Sequence, residues 1–416
     1  MSDGKIQAPR GTFDVLPEQS AARAHVEQTA RRVLEAAGYG RIETPAFEAT
    51  ELFARGVGEA TDVVRKEMYS FDDGGGRSMT LRPEGTAPVC RAYTEHGMHK
   101  LPQPVRLWYL SSFFRHEAPQ AGRFRQFWQV GAEALGSDDP AVDAESILLL
   151  AELLEALGVR GTRLRLSSLG SPAARASYRE ALQAYLREHS DRLARDVRER
   201  IALNPLRAFD SSDPGTREVM QQAPRLLDAL ESDDADHFAA VRALLDAAGL
   251  PYEVDSTLVR GLDYYARTVF EFESAELGAQ SGVGGGGRYD GLVELLGGPP
   301  TPGCGWAAGV ERILLAADVG EDAAPAPDLY VAYADESRRA DAFALARAAR
   351  AAGLRAQLEL AGRSLKGQLK HADRTGARFV AILDAGGGAA LKDMGSGAQR
   401  EVELGAVVAA VGGVHA

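Results

Sequence analysis

Two long strand-like runs follow one another in the middle of the chain with no helix between them. Residues 104–117 read PVRLWYLSSFFRHE and residues 125–136 read RQFWQVGAEALG, and the short loop between them contains Pro119 and Gly122. Parallel neighbours need a crossover of about a dozen residues or more, whereas antiparallel neighbours need only a turn. The two runs therefore predict an antiparallel sheet and exclude a doubly wound one in this part of the chain.

Length and shifts in composition predict more than one domain. A chain of 416 residues is too long for one ordinary core. Residues 172–249 are charged and mostly helical in their spacing, which indicates an inserted helical subdomain. The stretch VGEDAAPAPD, which ends at Asp328, has the composition of a linker. Beyond it strand and helix patterns alternate, so we expect a compact α/β domain of about 90 residues with a parallel sheet.

Charge and cysteine usage narrow the class of protein. The net charge of −12 argues against a surface that attracts nucleic acid everywhere. From Asp328 onward, however, 12 Lys and Arg face 10 Asp and Glu, so a polyanion is expected first of all in this tail. Cys90 and Cys304 are too few for a disulfide framework or a thiolate zinc site, and they fit a reducing cytoplasm. No apolar run reaches the roughly 18 residues of a membrane helix, so no membrane partner is expected.

Two segments near the N-terminus predict further strands. Residues 39–53, YGRIETPAFEATELF, predict a strand that is closed by Pro45, a poor residue for a central ladder. Residues 68–93 predict a hairpin whose turn is the run Asp-Asp-Gly-Gly-Gly, followed by a helix after Pro83.

Three segments carry residues that suit an anionic ligand. In residues 114–129, FRHEAPQAGRFRQFWQ, arginines crowd a loop between paired strands and could clamp a nucleotide, although a solvated charged hairpin explains the segment as well when it is taken alone. In residues 305–315, GWAAGVERILL, Arg312 could reach a phosphate, or the segment is a packed turn from strand to helix. In residues 258–272, LVRGLDYYARTVFEF, Arg260 either pairs with Asp263 in the core or belongs to a pocket for a small anion or zwitterion.

Two other patterns are weaker indications of a functional site. Residues 281–291, SGVGGGGRYDG, fit the spacing of a dinucleotide-binding motif, but their flanks predict an antiparallel strand and a short helix. We therefore expect a glycine-rich bend that lies against a substrate. His96 and His99 stand three residues apart beside Glu95, a spacing that is usually solvated, so no metal site is predicted.

Taken together, these segments resemble the histidyl-tRNA synthetases, a family of class II aminoacyl-tRNA synthetases. The resemblance runs from PRGTFDVLP near the start to AGRSLKGQLKHADRTGARFV in the tail, and its most specific parts are RGLDYYARTVFE and GAQSGVGGGGRYDGL. It implies an α+β catalytic core with an antiparallel class II sheet over residues 1–326, a helical insertion at about 172–249, and an anticodon-binding α/β domain over residues 327–416.

The resemblance also implies roles for individual residues. Arg260 and Arg115 would act on the α-phosphate, where negative charge develops in the reaction. The expected ATP contacts are Arg115, Arg123, Phe127, which would stack on adenine, and Arg312, which would bind the γ-phosphate. The expected histidine contacts are Glu84, Thr86 and Gln129 for the α-ammonium group, Glu133 for the imidazole N–H, and Tyr264, Tyr265 and Tyr289 for the pocket walls.

The implied reaction has two steps. Histidine attacks the α-phosphorus of ATP to give histidyl-adenylate and pyrophosphate, with Mg²⁺ bridging phosphates, and the 3′-terminal ribose of tRNA(His) then takes the histidine. The family is homodimeric, which extends the expected partners to a second copy of the chain. A related alternative is the synthetase-like regulatory subunit of ATP phosphoribosyltransferase, which typically lacks the tail domain. Another class II synthetase, such as the prolyl or threonyl enzyme, is a lesser alternative.

Three residues depart from the family pattern. Ala118, Ala121 and Trp128 stand where Arg, Lys and His are common. The first two lie on the loop that meets the tRNA acceptor end, so they leave open how its first base pair is recognised. Trp128 alternates with Phe127 and Gln129 along a strand and is expected to face the other side of the sheet.

Overall fold

The computed structural model describes residues 5–58, 61, 63–118, 122–203, 205–258, 261–278, 281–317, 326–384 and 386–413. The chain divides into two compact units, Met1–Gly320 and Glu321–Ala416. Among the described helices, none is long and apolar enough to cross a bilayer.

The first unit contains two sheets and ten α-helices within its described part. The strands are β1 Gly40–Arg41, β2 Phe47–Ala49, β3 Tyr69–Asp72, β4 Ser78–Leu81, β5 Val105–Phe114, β6 Gln126–Leu135, β7 Thr162–Ser168, β8 Glu253–Val254, β9 Ala266–Ser274, β10 Gly282–Arg288 and β11 Gly303–Gly309. The helices are α1 Pro17–Ala36, α2 Thr50–Val57, α3 Thr86–Glu95, α4 Pro140–Ala156, α5 Pro172–Glu188, α6 Arg195–Arg200, α7 Pro214–Gln221, α8 Ser232–Ala247, α9 Leu292–Leu295 and α10 Val310–Ala316.

The main sheet has eight strands in the order β1-β5-β6-β11-β10-β9-β7-β8. Every neighbouring pair is antiparallel except the two outermost ones, in which β1 runs parallel to β5 and β8 parallel to β7. The predicted antiparallel pairing of the two central runs is confirmed, since Leu110 on β5 lies opposite Val130 on β6.

The strand predicted to be closed by Pro45 is present but short, since β1 ends at Arg41. The chain forms β1 before the proline and β2 after it, and these two short strands belong to different sheets. A proline has no N–H to donate to a ladder, so the segment changes sheets at this residue.

The predicted hairpin at residues 68–93 is confirmed. Strands β3 and β4 pair antiparallel, and β2 adds to the other side of β4. The turn is held by Asp73, whose Oδ1 accepts the N–H groups of Gly75 at 2.8 Å and Arg77 at 2.9 Å. Helix α3 then begins at Thr86, after Pro83 as expected.

The glycine-rich segment predicted as a bend is instead the strand β10, near the middle of the main sheet. A Cβ on Gly284 would crowd Ala308, and one on Gly286 would overlap the backbone of Gly305 on β11. Glycine is therefore required here by the close approach of the neighbouring strand.

The two faces of the main sheet pack against different helices. One face meets α1, α4, α8 and α10 in the largest core, and the other meets α3 and α9. Successive side chains of β6 point to opposite faces of the sheet. Trp128 packs in the first of these cores and Phe127 in the second. The expectation that Trp128 faces away from Phe127 is confirmed.

Helices α5 to α7 form a separate small core. This core includes Leu182 and Leu186 of α5, and it also contains Tyr265, which directly precedes β9, and Val269 on β9. Helix α8 packs differently, since its Val241 joins the core of the main sheet. The helical insertion thus contacts the sheet at both of its ends.

The second unit is a mixed sheet with helices on both faces. Its elements are β12 Leu329–Tyr333, α11 Arg339–Ala351, β13 Ala356–Leu358, α12 Leu365–Arg374, β14 Phe379–Leu383, β15 Ala389–Asp393, β16 Gln399–Val402 and α13 Val407–Gly412. Strands β13, β12 and β14 are parallel, but β15 and β16 join antiparallel. The expected parallel pairing is confirmed for β13, β12 and β14, and the antiparallel addition of β15 and β16 was not predicted. The short connections before β15 and β16 leave no room for crossover helices.

Candidate active site

A buried carboxylate on β6 collects three hydroxyl groups. Glu133 is 0% exposed. Its Oε2 accepts a hydrogen bond from the Tyr289 hydroxyl at 2.6 Å, and its Oε1 accepts from the hydroxyls of Thr86 at 2.8 Å and Tyr109 at 3.3 Å. A buried carboxylate is tolerated only when such donors satisfy its oxygens.

A second carboxylate lies at the start of helix α3. The oxygens of Glu84 accept the N–H groups of Thr86 at 2.8 Å and Ala87 at 3.0 Å, which are among the donors that a helix N-terminus leaves unpaired. The Tyr264 hydroxyl lies 3.4 Å from the same side chain. The RPEGT sequence therefore places Glu84 as a cap and Thr86 as its link to Glu133.

Burial shifts the pKa of both carboxyl groups. It raises the pKa of Glu133 to about 8, although the three hydroxyl donors act in the opposite direction. Burial also raises the pKa of Glu84, against the lowering effect of the helix N–H groups. The two groups repel each other's charge as well. The pocket is therefore suited to a ligand that brings N–H donors or positive charge.

The aromatic side chains predicted as pocket walls do not all have the same surroundings. The Tyr264 ring meets the Tyr289 ring edge-on at 5.9 Å, so both border the carboxylate pair. Tyr265 lies 4.7 Å from Tyr264 between ring centroids, but it packs into the core of the helical insertion. Tyr265 thus packs against Tyr264 on the side of the helical insertion.

Tyr109 is a member of the pocket that sequence reasoning missed. Its phenol ring fills the space where side chains of Gly85 and Gly131 would otherwise lie, since a Cβ on either glycine would overlap it. Gly131 is its direct partner across the β5–β6 pair. The available signal was a tyrosine on one strand opposite a glycine on the next, a pattern that indicates space reserved for a ring.

An open cleft adjoins this pocket and contains most of the predicted nucleotide contacts. Arg115, Arg123, Phe127, Gln129 and Arg312 all line it. It is also lined by Gly282, Gly284 and Gly285 of the glycine-rich segment that was expected to lie against a substrate, and by three acidic residues that were not predicted for this role: Glu117, Glu271 and Glu311. Cationic side chains around an aromatic ring and a glycine floor form a surface that suits a nucleotide.

Arg115 connects the cleft to the pocket. Its Nε donates to the carbonyl oxygen of Pro83 at 2.8 Å, directly before Glu84, and its guanidinium lies 5.4 Å from the centre of the Phe127 ring. Arg123 pairs with Glu117 at 3.3 Å on the loop that follows β5. The predicted charged loop is therefore a wall of the cleft.

Two more predicted residues complete the cleft. Gln129 is partly buried, and its Oε1 has no hydrogen-bond partner within the described part of the chain, so this acceptor is available to a ligand donor. Arg312 stands in the first turn of α10, where burial, followed by the nearby charge of Arg123, lowers its pKa. The strand-to-helix turn therefore packs closely and also presents an arginine to the cleft.

Two predicted residues, Arg260 and Ala121, lie outside the described residues, so the choice between an Arg260–Asp263 ion pair and a ligand contact stays open. Ala118 is described and is exposed on the loop that follows β5.

Among the described residues, no group of three or more His, Cys, Asp or Glu side chains is arranged to hold a metal ion.

An eight-stranded, mainly antiparallel sheet with a buried acidic pocket beside an arginine-lined cleft defines the catalytic domain of a class II aminoacyl-tRNA synthetase. The family model for histidyl-tRNA synthetase matches residues 11–313, and the model for the anticodon-binding domain matches residues 328–412. The chain belongs to the histidyl-tRNA synthetase family.

Curated relatives agree with this assignment. The chain is 50% identical over 411 residues to a histidine–tRNA ligase of Halorhodospira halophila (strain DSM 244 / SL1), with 97% of each chain covered. It is 47% identical over 403 residues to a histidine–tRNA ligase of Desulforamulus reducens (strain ATCC BAA-1160 / DSM 100696 / MI-1), with 95% of this chain and 96% of the relative covered.

Solved structures show the same fold. The crystal structure of apo S. aureus histidyl-tRNA synthetase has a TM-score of 0.81 at 35% identity, and 98% of this chain and 100% of that chain are covered. A structure from Bacillus halodurans C, described as an ATP phosphoribosyltransferase regulatory subunit/histidyl-tRNA synthetase, has a TM-score of 0.65 at 21% identity, with 92% of this chain and 100% of that chain covered. The second likeness concerns the fold alone.

Proposed function

We propose that this protein activates histidine with ATP and transfers it to the 3′ end of tRNA(His). The observation that carries the proposal is the Glu133 carboxylate with its ring of hydroxyl donors, next to the arginine-lined cleft. One site would accept the amino acid and the other the nucleotide, and Arg115 reaches the boundary between them. Two reactants held in this way need little covalent help from the protein.

In the proposed pocket the imidazole N–H donates to Glu133. The buried carboxylate has its charge disfavoured by desolvation, and a ligand donor would restore part of what burial removes. Glu84, Thr86 and the free acceptor of Gln129 are proposed to hold the α-ammonium group, whose three N–H donors need such oxygens. An amino acid without the matching donor would leave a buried polar group unpaired, which strongly favours histidine over apolar amino acids.

In the proposed cleft the adenine stacks on Phe127, and Arg115 and Arg260 contact the α-phosphate. Arg312 would take the γ-phosphate, with Arg123 beside it. Guanidinium groups at these positions would stabilise the charge that builds on the phosphates as pyrophosphate leaves. Mg²⁺ would enter with ATP as part of the substrate, and Glu271 is a carboxylate in the cleft of the kind that holds such an ion.

The second unit is proposed to bind the anticodon of tRNA(His). Its match to the anticodon-binding family supports this role. The excess of basic residues from Asp328 onward favours contact with a polyanion, in contrast to the acidic remainder of the chain.

We also propose that two copies of the chain associate and that the protein works in the cytoplasm. Phe47 and Phe71 lie on the three-stranded sheet at 49% and 44% exposure, with ring centroids 6.1 Å apart. An exposed aromatic pair of this kind is typical of an interface. Cys90 and Cys304 are both free and buried, which is compatible with a reducing compartment.

The test is amino-acid-dependent exchange of pyrophosphate into ATP, measured with each of the twenty amino acids separately. We expect exchange with histidine alone, followed by transfer of labelled histidine to tRNA(His). Exchange with another amino acid would overturn the pocket assignment. No exchange, combined with measurable histidine binding, would overturn the activity and favour a regulatory role.

A further inference from the structure

The segment that carries the pocket tyrosines is attached to the helical insertion. Arg175, on helix α5, donates a hydrogen bond to the carbonyl oxygen of Tyr265. Burial lowers the pKa of this arginine, and the nearby charge of Asp263 acts in the opposite direction. The first helix of the insertion therefore contacts the backbone directly behind Tyr264, the residue whose hydroxyl approaches Glu84.

A backbone irregularity follows immediately. Opposite β10, Gly287 pairs with Val269 whereas the next residue, Arg288, pairs with Ala266, so two residues of β9 bulge out between them. One of them, Arg267, has a φ of 50°, a left-handed conformation that is unfavourable for a residue with a side chain. Bulges change the direction of neighbouring side chains, and this one lies two residues after the tyrosine pair.

The bulge is held by the residues just before the insertion and by the last helix of the insertion, α8. The Arg267 N–H donates to Gly170 at 2.8 Å, and its carbonyl oxygen accepts from Leu169 at 2.7 Å. Its Nε donates to Asp234 at 3.0 Å, while the other oxygen of Asp234 accepts the N–H of Ser171 at 2.6 Å. Asp234 is 2% exposed. One buried carboxylate on α8 therefore joins the entry to the insertion, its last helix and the bulge.

The far side of the bulge fits closely against β10. A Cβ on Gly287 would lie 3.1 Å from the Tyr265 ring and closer still to the carbonyl oxygen of Thr268. Tyr289, whose hydroxyl binds Glu133, comes two residues later in the chain. A shift of the bulge would thus displace both tyrosine walls of the pocket relative to Glu133.

We infer that Asp234 and Arg267 are positioning residues for the amino acid, and that the helical insertion sets the geometry of the histidine pocket through them. The inference rests on the proposed histidine activation. The arginine and aromatic contacts proposed for ATP stand on other elements, since Arg115 directly follows β5, Phe127 lies on β6 and Arg312 on α10. The parts of β9 and β10 that also line the cleft, Glu271 and residues 282–285, pair with each other beyond the bulge. Loss of the Asp234–Arg267 contact should therefore affect histidine binding and spare ATP binding.

The experiment compares KM for histidine and KM for ATP in pyrophosphate exchange catalysed by the full-length protein. Arg267→Gly removes the guanidinium but accepts a positive φ without strain, so it separates the ion pair from the backbone conformation. We expect KM for histidine to rise roughly 10- to 100-fold, since a misplacement of 1 Å can cost about 100-fold. KM for ATP should change less than about twofold. Arg267→Lys keeps a cation for Asp234 and should recover part of the loss.

Arg163→Ala is the matched control. Arg163 on β7 pairs with Glu253 on β8 at 3.2 Å, but both side chains are more than half exposed and neither contacts the bulge, so both KM values should stay at the wild-type level. If Arg267→Gly does not fold, Asp234→Asn carries the same two expectations.

Equal increases in both KM values, or no increase in either, would overturn the inference while leaving the proposed activity intact. Failure of the wild-type protein itself to exchange with histidine would overturn the proposed activity instead.

Discussion

The Tyr289 hydroxyl donates a 2.6 Å hydrogen bond to Glu133, and this contact links the strand β10 to the strand β6 across the intervening β11. Both side chains are almost fully buried. The intervening strand leaves room for this contact, since a Cβ on Gly303 of β11 would overlap the Tyr289 ring and one on Gly305 would overlap the Glu133 carboxylate. The two β11 glycines, the tyrosine and the acidic residue therefore act as one unit.

Replacing Glu133 by Gln tests the proposed imidazole contact. The amide keeps the size of the side chain, but its NH₂ group cannot accept the donors that the carboxylate accepts. We expect KM for histidine in pyrophosphate exchange to rise roughly 10- to 100-fold, because a buried donor left without its acceptor costs about 1–3 kcal/mol. Glu95→Gln, on the exposed end of α3, is the control and should change nothing. An unchanged KM for histidine in Glu133→Gln would remove Glu133 from the pocket.

The same carboxyl group makes stability depend on pH. Its pKa is about 8 in the folded protein and near 4.5 when the chain is unfolded, so between these values the folded state holds a proton that the unfolded state has lost. The free energy of unfolding contributed by Glu133 therefore falls as pH rises from about 4.5 to about 8, by at most ~1.4 kcal/mol per pH unit.

The measurement is urea unfolding of the wild type and of Glu133→Gln between pH 5 and pH 8. Tryptophan fluorescence reports on the first unit alone, because Trp108, Trp128 and Trp306 all lie there. The stability of the wild type relative to the variant should decline over this range. A constant or rising difference would contradict the raised pKa.

The space between Gly131 and Tyr109 predicts a steric effect. In Gly131→Ala the new methyl group would overlap the phenol ring, and overpacking of this kind costs about 1–3 kcal/mol. We expect a lower free energy of unfolding together with weaker histidine binding. Gly291→Ala is the matched control, because no atom lies within 4 Å of its Cβ position and its φ is negative. Equal stability of the two variants would show that the ring moves without cost.

Arg115→Lys tests the boundary between pocket and cleft. Lysine keeps the charge but cannot hold the Pro83 carbonyl oxygen, cover the Phe127 ring and bind a phosphate in a forked geometry at the same time. We expect kcat for pyrophosphate exchange to fall roughly 100-fold. Arg77→Lys, on the exposed hairpin turn, serves as the comparison and should behave as wild type. A fully active Arg115→Lys variant would contradict the proposed contact between Arg115 and the α-phosphate.

The exposed aromatic pair on the three-stranded sheet predicts an effect on assembly. Phe47→Glu combined with Phe71→Glu should convert a dimer to a monomer, since charges would be buried in the contact. Light scattering coupled to size-exclusion chromatography gives the mass directly. Phe343→Glu is the control, since this residue is 59% exposed on α11 and belongs to the other unit. A wild-type monomer, or a doubly substituted dimer, would contradict this assignment.

Several features were predictable because side chains carry a clear period. The alternation of Trp128 with Phe127 identified the two faces of β6, and the two long runs around the arginine loop could only pair antiparallel. The turn of the hairpin was visible in its Asp and Gly residues, because such residues have few other uses between strands.

Other features were hidden for physical reasons. The run from Gly282 to Gly287 has almost no side chains, so it has no period and resembles a turn although it forms a strand. The direction of β15 follows from the length of a connection rather than from the strand's own residues. Tyr109 escaped attention because its place depends on empty space above Gly85 and Gly131, which are distant in sequence.

The alternation of side chains between the two faces of β6 restricts which sequence changes this strand can accept during evolution. The even-numbered residues Trp128, Val130 and Ala132 pack into the largest core of the first unit. The odd-numbered residues Phe127, Gln129 and Glu133 line the cleft and the pocket on the other face. Inserting or deleting one residue within Gln126–Leu135 would exchange the two sets, burying a glutamine and exposing a tryptophan in one event. Natural variation in this strand should therefore consist of substitutions rather than insertions or deletions.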